Sequence, residues 1–542
     1  MSAPRDLDVA DALDNLVNQF ADPLVFLREL VQNALDAGSP EVDVYTEFRP
    51  SKDDPDHGVM VIGVDDYGEG MDREIIDHRL TRLFSSAKDQ DFTKIGKFGI
   101  GFVSVFALRP DAVCVDTSRG GENWRILFKA DRSFVRIERE QPVDGTKIQL
   151  LKQTTRAEYD QLAARAGETL RFWCKHVRGT VRLDDEDVHQ PFELPGALCL
   201  VSHEEEGIRV VVGYRPEQSP SFGFYNQGLT LLEGQTDAFL PRVAFKVDSK
   251  YLEHTLARDN IMRDTNFDKA MAVVERLAGE QLDAALFERI ADLLKTDPGG
   301  AELARAQEVA ARIIERTGPP ADGPVLAQID GRPATPSAVV EAAKAQRLWV
   351  ANVRSPLVDA VVAEGHMVLS VPAQGAAGCM ALIQALAGRL VGEAPRSFIR
   401  PVPIEDRAEL ERLALLRAAL AELLPSLDVR VAGVEMARFD YPHSCILDRP
   451  FVLLPQLGAL VPWTTDALRP IERWKKKDTL VINAAHPFVV PLPALARREP
   501  EFAAYTLLKL VSLAAGPLPV ELDARLATAS TERRAERQEA AR

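Results

Sequence analysis

Glu29, Asn33 and Asp36 are spaced four and three residues apart. In a helix that spacing brings a carboxylate, an amide and a second carboxylate onto one face. Leu27, Leu30, Val31, Ala34 and Leu35 fill most of the remaining surface and suit a core. Alone, such a face reads as a solvated polar one. A second group, Val64-Asp65-Asp66-Tyr67-Gly68-Glu69-Gly70-Met71, directly follows a strand-like run. Its glycines let the backbone turn tightly and approach a ligand closely. An aspartate at a strand end can accept a hydrogen bond from an adenine amino group; the bland alternative is an acidic turn. The third group, Gly96-Lys97-Phe98-Gly99-Ile100-Gly101-Phe102, precedes the apolar run VSVFAL. Exposed backbone N–H groups ahead of a helix suit phosphate. The pattern is neither a P-loop nor a dinucleotide fingerprint in its βαβ context.

The elements that must carry these groups follow from periodicity. Apolar residues recur at helical spacing through DVADALDNLVNQFADPLVFLRELVQNALDAG, with Pro23 expected in the first turn of a second helix and Gly38 and Pro40 ending it. VDVYTEF, VMVIGVDD, AVCVDTS, WRILFKA, FVRIERE and TKIQLLK read as strands. Together they predict a mixed sheet with helices on one side, in an α+β multidomain chain. A chain of 542 residues is expected to split into three or four units. With the acidic DDEDVHQP stretch taken as a boundary and RTGPPADGP as a break, the expected divisions are 1–188, 189–322, 323–398 and 399–542, the last mostly helical with a charged tail.

The net charge of −16 argues against a general nucleic-acid binder. The five cysteines lie far apart with no C-x-x-C pair, so no disulfide framework or zinc site is expected and a reducing cytoplasm fits. No signal peptide and no membrane span are expected.

In this order and spacing, FLRELVQNALDA, VDDYGEGM and GKFGIGF resemble the nucleotide-binding signatures of the ATPase superfamily shared by gyrase, heat-shock chaperones, histidine kinases and MutL. Gly145-Thr146-Lys147-Ile148 resembles that superfamily's closing strand. The resemblance implies an amino-terminal α/β sandwich that binds ATP with Mg²⁺. Asn33 would ligate Mg²⁺, and Glu29, one turn earlier, would orient and deprotonate the attacking water. Asp36 would join the nucleotide-binding set. Asp66 would bind the adenine amino group with Thr146 in support, and Gly68, Gly70 and Met71 would shape the base pocket. Gly96, Lys97, Phe98, Gly99, Ile100, Gly101 and Phe102 would wrap the phosphates. Residues 80–95 would form a short lid, with Ser85, Ser86 and Lys88 as phosphate contacts.

Within the superfamily, the chain resembles a compact bacterial relative of the ninety-kilodalton heat-shock chaperones. DAFLPRVAFKVDSKYLEHTLARDNIMRD is similar to their α/β middle domain, where a Val-Asp-Ser precedes a catalytic arginine. Here Ser249 is followed by Arg258 and Asp259. LVINAAHP and EFAAYTLLKLVSLAAG are similar to the dimerisation domain. The stripe Ala503, Leu507, Leu510, Val511 and Ala514, widened by Leu508, suits a partner helix or burial within its own domain. The implied function is a homodimeric, ATP-driven clamp on client proteins. A MutL-like nucleic-acid-associated ATPase and a dedicated single-partner scaffold or defence ATPase are the alternatives.

Overall fold

The computed structural model describes residues 17, 22–85, 100–215, 220–236, 238–255, 260–319 and 323–540. The chain divides into two compact units, residues 1–285 and 286–542.

In the first unit, helix α1 (Phe26–Asp36) begins three residues after Pro23. Asp22 Oδ1 accepts from the Leu24 amide at 3.1 Å, and this Asx-type turn, rather than the helix, takes up the proline. Strands β1 (Glu41–Pro50), β2 (His57–Asp66), β3 (Ala112–Arg119), β4 (Glu122–Lys129), β5 (Phe134–Glu138), β6 (Thr146–Thr155), β7 (Thr180–Leu183) and β8 (Glu186–Asp187) form one sheet. Its order is β5-β4-β3-β6-β2-β1-β7-β8. β1 and β7 run parallel, and the other pairs are antiparallel. Helix α2 (Arg156–Cys174) starts on a capping box between Thr155 and Glu158.

Strand alternation decides which face is covered. Leu27, Leu30 and Val31 of α1 and Leu170 of α2 share one core with Val42, Ile62, Val115 and Leu150 of the strands. The register sends Arg182, Asp43, Asp65, Lys147, Asp116 and Arg125 to the opposite face in one row across six strands. Opposite charges meet there, as in the 3.0 Å pair of Lys147 and Asp65. The sheet is thus mixed and layered by helices on one side, as the sequence predicts. The acidic stretch after β7 is a turn at the edge of this sheet: Asp184 and Asp185 adopt φ of 49° and 69°. Asp184 Oδ1 accepts from the Thr46 amide at 2.8 Å.

A second sheet follows, built of β9 (Cys199–Glu205), β10 (Ile208–Tyr214), β11 (Phe222–Asn226), β12 (Leu229–Gly234) and β13 (Ala244–Ser249) in the order β12-β11-β13-β10-β9. Helix α3 (Thr265–Glu280) is capped by Asp264, which accepts from the amides of Asn266 and Phe267. The sheet is fastened to the end of α2. Thr230 Oγ1 donates to the Phe172 carbonyl at 2.7 Å, and Lys175 pairs with Glu233 at 2.7 Å. Gly228, at φ 82°, comes so near that a Cβ would stand 2.0 Å from the His176 carbonyl oxygen.

The second unit contains a parallel pair, Leu348–Ala351 with Met367–Ser370. It also contains a four-stranded sheet with Gly433–Arg438 and Thr479–Asn483 parallel at its centre. Helices Arg407–Ser426, Pro500–Ala515 and Val520–Ala540 pack on one another and share a core with the sheet. Ala503, Leu507, Leu508 and Val511 are fully buried with Leu416, Leu420 and Leu526 of the same chain. Leu510 and Ala514 pack on the same core. The stripe offered to a partner helix is therefore filled internally. All five cysteines are free. Among the described residues no helix is long and apolar enough to cross a membrane.

Candidate active site

Strand register assembles the site. Asp66, the last residue of β2, pairs with Thr146, the first of β6, and Thr117 of β3 pairs with Thr146 from the other side. Thr146 and Thr117 share strand parity with the buried Ile148 and Val115, so they face the helical layer. Asp66 Oδ1 accepts from the amides of Gly68 at 2.9 Å and Thr146 at 3.2 Å. No described residue bonds its Oδ2, which is left for an incoming donor. Burial pushes the Asp66 carboxyl above the usual carboxylate range, and its two backbone donors oppose that shift. Thr146 Oγ1 lies 3.1 Å from Thr117 Oγ1, and Thr117 Oγ1 accepts from the Met71 amide at 2.8 Å.

Two glycines make this approach possible. Gly145 has φ 63°, and a Cβ there would stand 2.2 Å from the Asp66 carbonyl oxygen. Gly70 has φ 66°, and its Cβ would stand 2.1 Å from the Ser118 carbonyl oxygen. Gly145→Ala should therefore destabilise the chain by about 1–3 kcal/mol through backbone strain alone. A melting temperature equal to that of the unaltered chain would refute this.

Asn33, Asp36, Asp66, Gly70, Met71 and Thr146 line one cavity of about 260 Å³. Leu30, Val64, Ile148 and Phe102 supply its apolar wall. Phe102 is held from behind by Phe128, 5.4 Å away between centroids. It forms part of the cavity wall. Gly68 lies just outside, packed on the end of α1, where a Cβ would meet the Ala37 carbonyl oxygen at 2.7 Å.

Glu29 is buried one turn back from Asn33, 5% exposed, with Arg28 Nη1 3.7 Å from its Oε1. A Cβ on Gly101 would stand 2.9 Å from Glu29 Oε2. The carboxylate thus lies against the backbone of the glycine-rich segment, where helix Ile100–Val103 begins. Ser85 closes the short helix Arg82–Ser85. Ser86, Lys88, Gly96, Lys97, Phe98, Gly99, Arg258 and Asp259 lie outside the described residues.

Sequence reading missed four contributors. Glu69, Arg79 and Arg119 also line the cavity, and Arg119 pairs with Glu69 at 2.9 Å. Thr117 stands behind it. Only Glu69 sat inside a recognisable motif. Thr117 and Arg119 arrive through the pairing of β3 with β6, which no local spacing announces.

The donor set suits a nucleotide carrying a hard cation. Asn33 offers one amide oxygen on the cavity wall. Among the described residues no group of three or more His, Cys, Asp or Glu could cage a metal by itself. Mg²⁺ keeps several waters and binds through few protein oxygens plus substrate phosphates, so one amide is compatible with it.

Residues 23–169 match the family of histidine kinase-, DNA gyrase B- and HSP90-like ATPases. The large mixed sheet with its helical layer agrees with that fold, and the match supports ATP binding by this region. The chain is 29% identical over 209 residues to the "Chaperone protein HtpG" of Methylorubrum extorquens (strain PA1), covering 33% of each chain. It is 28% identical over 199 residues to the protein of that name from Chlorobium phaeobacteroides, covering 31% of each. With the one from Anaplasma phagocytophilum it shares 30% over 170 residues, 27% of this chain and 26% of the relative. The matched part spans about a third or less of the length of these curated relatives.

Proposed function

We propose that the chain is an ATP-hydrolysing chaperone of the HtpG kind, working as a homodimeric clamp on client proteins. The observation that carries this reading is the cavity in which no described residue bonds one carboxylate oxygen of Asp66, with Asn33 on its wall. Asp66 Oδ2 accepts the adenine amino group, and Thr146 and Thr117 hold the carboxylate's surroundings in place. Asn33 would hold Mg²⁺, which would supply charge neutralisation at the phosphates. Glu29 takes the proton of the attacking water. The Gly96–Phe102 segment, Lys97 included, receives the phosphates.

Arg258, nine residues after Ser249, stabilises charge developing on the γ-phosphate. Arg258→Ala should slow hydrolysis by about 10³-fold or more, the size of comparable arginine effects. Its melting temperature should stay unchanged. A wild-type rate would remove Arg258 from the mechanism.

Dimerisation through the carboxy-terminal unit needs a surface other than the internally filled stripe. Phe488 and Val490, 68% and 60% exposed, are apolar side chains open to such a contact. The deciding experiment measures ATP turnover with denatured client, with DNA and with buffer alone, beside the solution mass. Client-dependent turnover at twice the 59.7 kDa chain mass supports the reading. DNA-stimulated turnover would turn it toward a MutL-like ATPase, which the charge of −16 disfavours.

A further inference from the structure

Lys246 sits on β13, the central strand of the five-stranded sheet, half-buried. An ammonium in such a place needs a counter-charge or good acceptors. Its Nζ donates to His176 Nε2 at 2.9 Å. The His176 ring is buried against Phe192 and Tyr225, with centroids 5.3 and 5.0 Å away. Its Nδ1 lies 2.9 Å from the Gln190 carbonyl oxygen. A carbonyl only accepts, so Nδ1 carries the proton and Nε2 the lone pair. Burial pushes the imidazole down to about 4, so it is neutral and gives Lys246 no counter-charge. The carboxylate that could do so, Glu233, is occupied. Its Oε2 pairs with Lys175 at 2.7 Å, and its Oε1 accepts the Tyr225 hydroxyl.

Lys175, Glu233 and Lys246 face a cavity of about 330 Å³ that also presents Ser221 and Gln235. Among the described residues that line it, two ammonium groups stand against one carboxylate. Arg209 and Arg215 add to the positive field at Lys246. This cavity shares no residue with the one around Asp66.

We propose that this cavity binds an oxyanion, the phosphate or carboxylate group of a small molecule, with Lys246 as its principal cation and Lys175 beside it. Compact ammonium charges suit either group. A bound anion adds counter-charge to what Glu233, which is shared with Lys175, contributes at Lys246. Burial and the neighbouring cations hold the Lys246 amine down at about 8. An anion reverses that effect, so binding at pH 8 draws a proton from solution.

The test is calorimetric titration of the full chain at pH 8 with inorganic phosphate and, separately, with citrate, in two buffers of different ionisation enthalpy. Saturable binding with uptake of about half a proton is expected. Stronger binding of phosphate would identify a phosphorylated ligand, and of citrate a carboxylate. Lys246→Met should weaken binding at least tenfold, Lys246→Arg should largely retain it, and Asp66→Asn should leave it unchanged. In the unaltered chain the same anion should protect the Lys246 amine from acetic anhydride, the acetyl group passing to nitrogen as acetate leaves. Absence of binding at millimolar anion, or affinity that Lys246→Met does not change, overturns the proposal. Labelling of Lys246 that the anion does not slow overturns it even if the methionine variant does not fold.

Discussion

Glu29→Ala should lower ATP turnover by about 10²- to 10⁴-fold, the range of a general base, while ATP still binds. The carboxylate lies off the cavity that would hold the nucleotide, against the Gly101 backbone, so its loss removes no wall of that cavity. Alanine also deprives the buried Arg28 of its acidic neighbour. Breaking a buried pair can cost about 3–5 kcal/mol. Glu29→Gln is therefore the companion variant: it keeps the shape and the acceptor oxygen but cannot take a proton at neutral pH. Both variants should show the same kinetic loss, with glutamine the more stable. Wild-type turnover in a folded glutamine variant would exclude Glu29 as the base.

Asp66→Asn should weaken nucleotide binding by about 10- to 100-fold, since a hydrogen bond to a charged group contributes about 1.5–3 kcal/mol. The geometry makes this more than a loss of charge. The amides of Gly68 and Thr146 both point at one oxygen. An asparagine must keep its oxygen there, which turns its own N–H₂ toward the adenine amino group, donor against donor. Calorimetry showing unchanged affinity would refute the adenine assignment. The same carboxylate sets a pH dependence. Burial raises its pKa, so on acidification it is protonated sooner than an ordinary aspartate, and affinity should fall correspondingly early. For stability the sign is opposite. A raised folded-state pKa favours folding at low pH, and that contribution fades as pH rises through the raised value.

Local spacing put Glu29, Asn33 and Asp36 on one helical face and Asp66 at a strand end before two glycines, and the structure brings Asn33, Asp36 and Asp66 to one cavity; the roles proposed for them come from the resemblance. The sheet and its helical face were legible from strict alternation in β1, β2, β3 and β6. What escaped depended on long-range register or on which partner a surface meets. Thr117 and Arg119 reach the cavity only through β3, paired far along the chain with β6. The stripe on Pro500–Ala515 has the same periodicity whether its partner is another chain or helix Arg407–Ser426, and the latter fills it. Asp184 and Asp185, in the stretch taken as a boundary, form the left-handed turn at the edge of the first sheet, a conformation aspartate tolerates.

The fastening of the second sheet to α2 has a mechanical consequence. With no room for one methyl group between Gly228 and the His176 carbonyl, the joint has no bearing on which to swivel. Helix α2 also packs on α1, which carries Glu29 and Asn33. In the clamp proposed above, a shift of α1 would be carried through α2 into the second sheet.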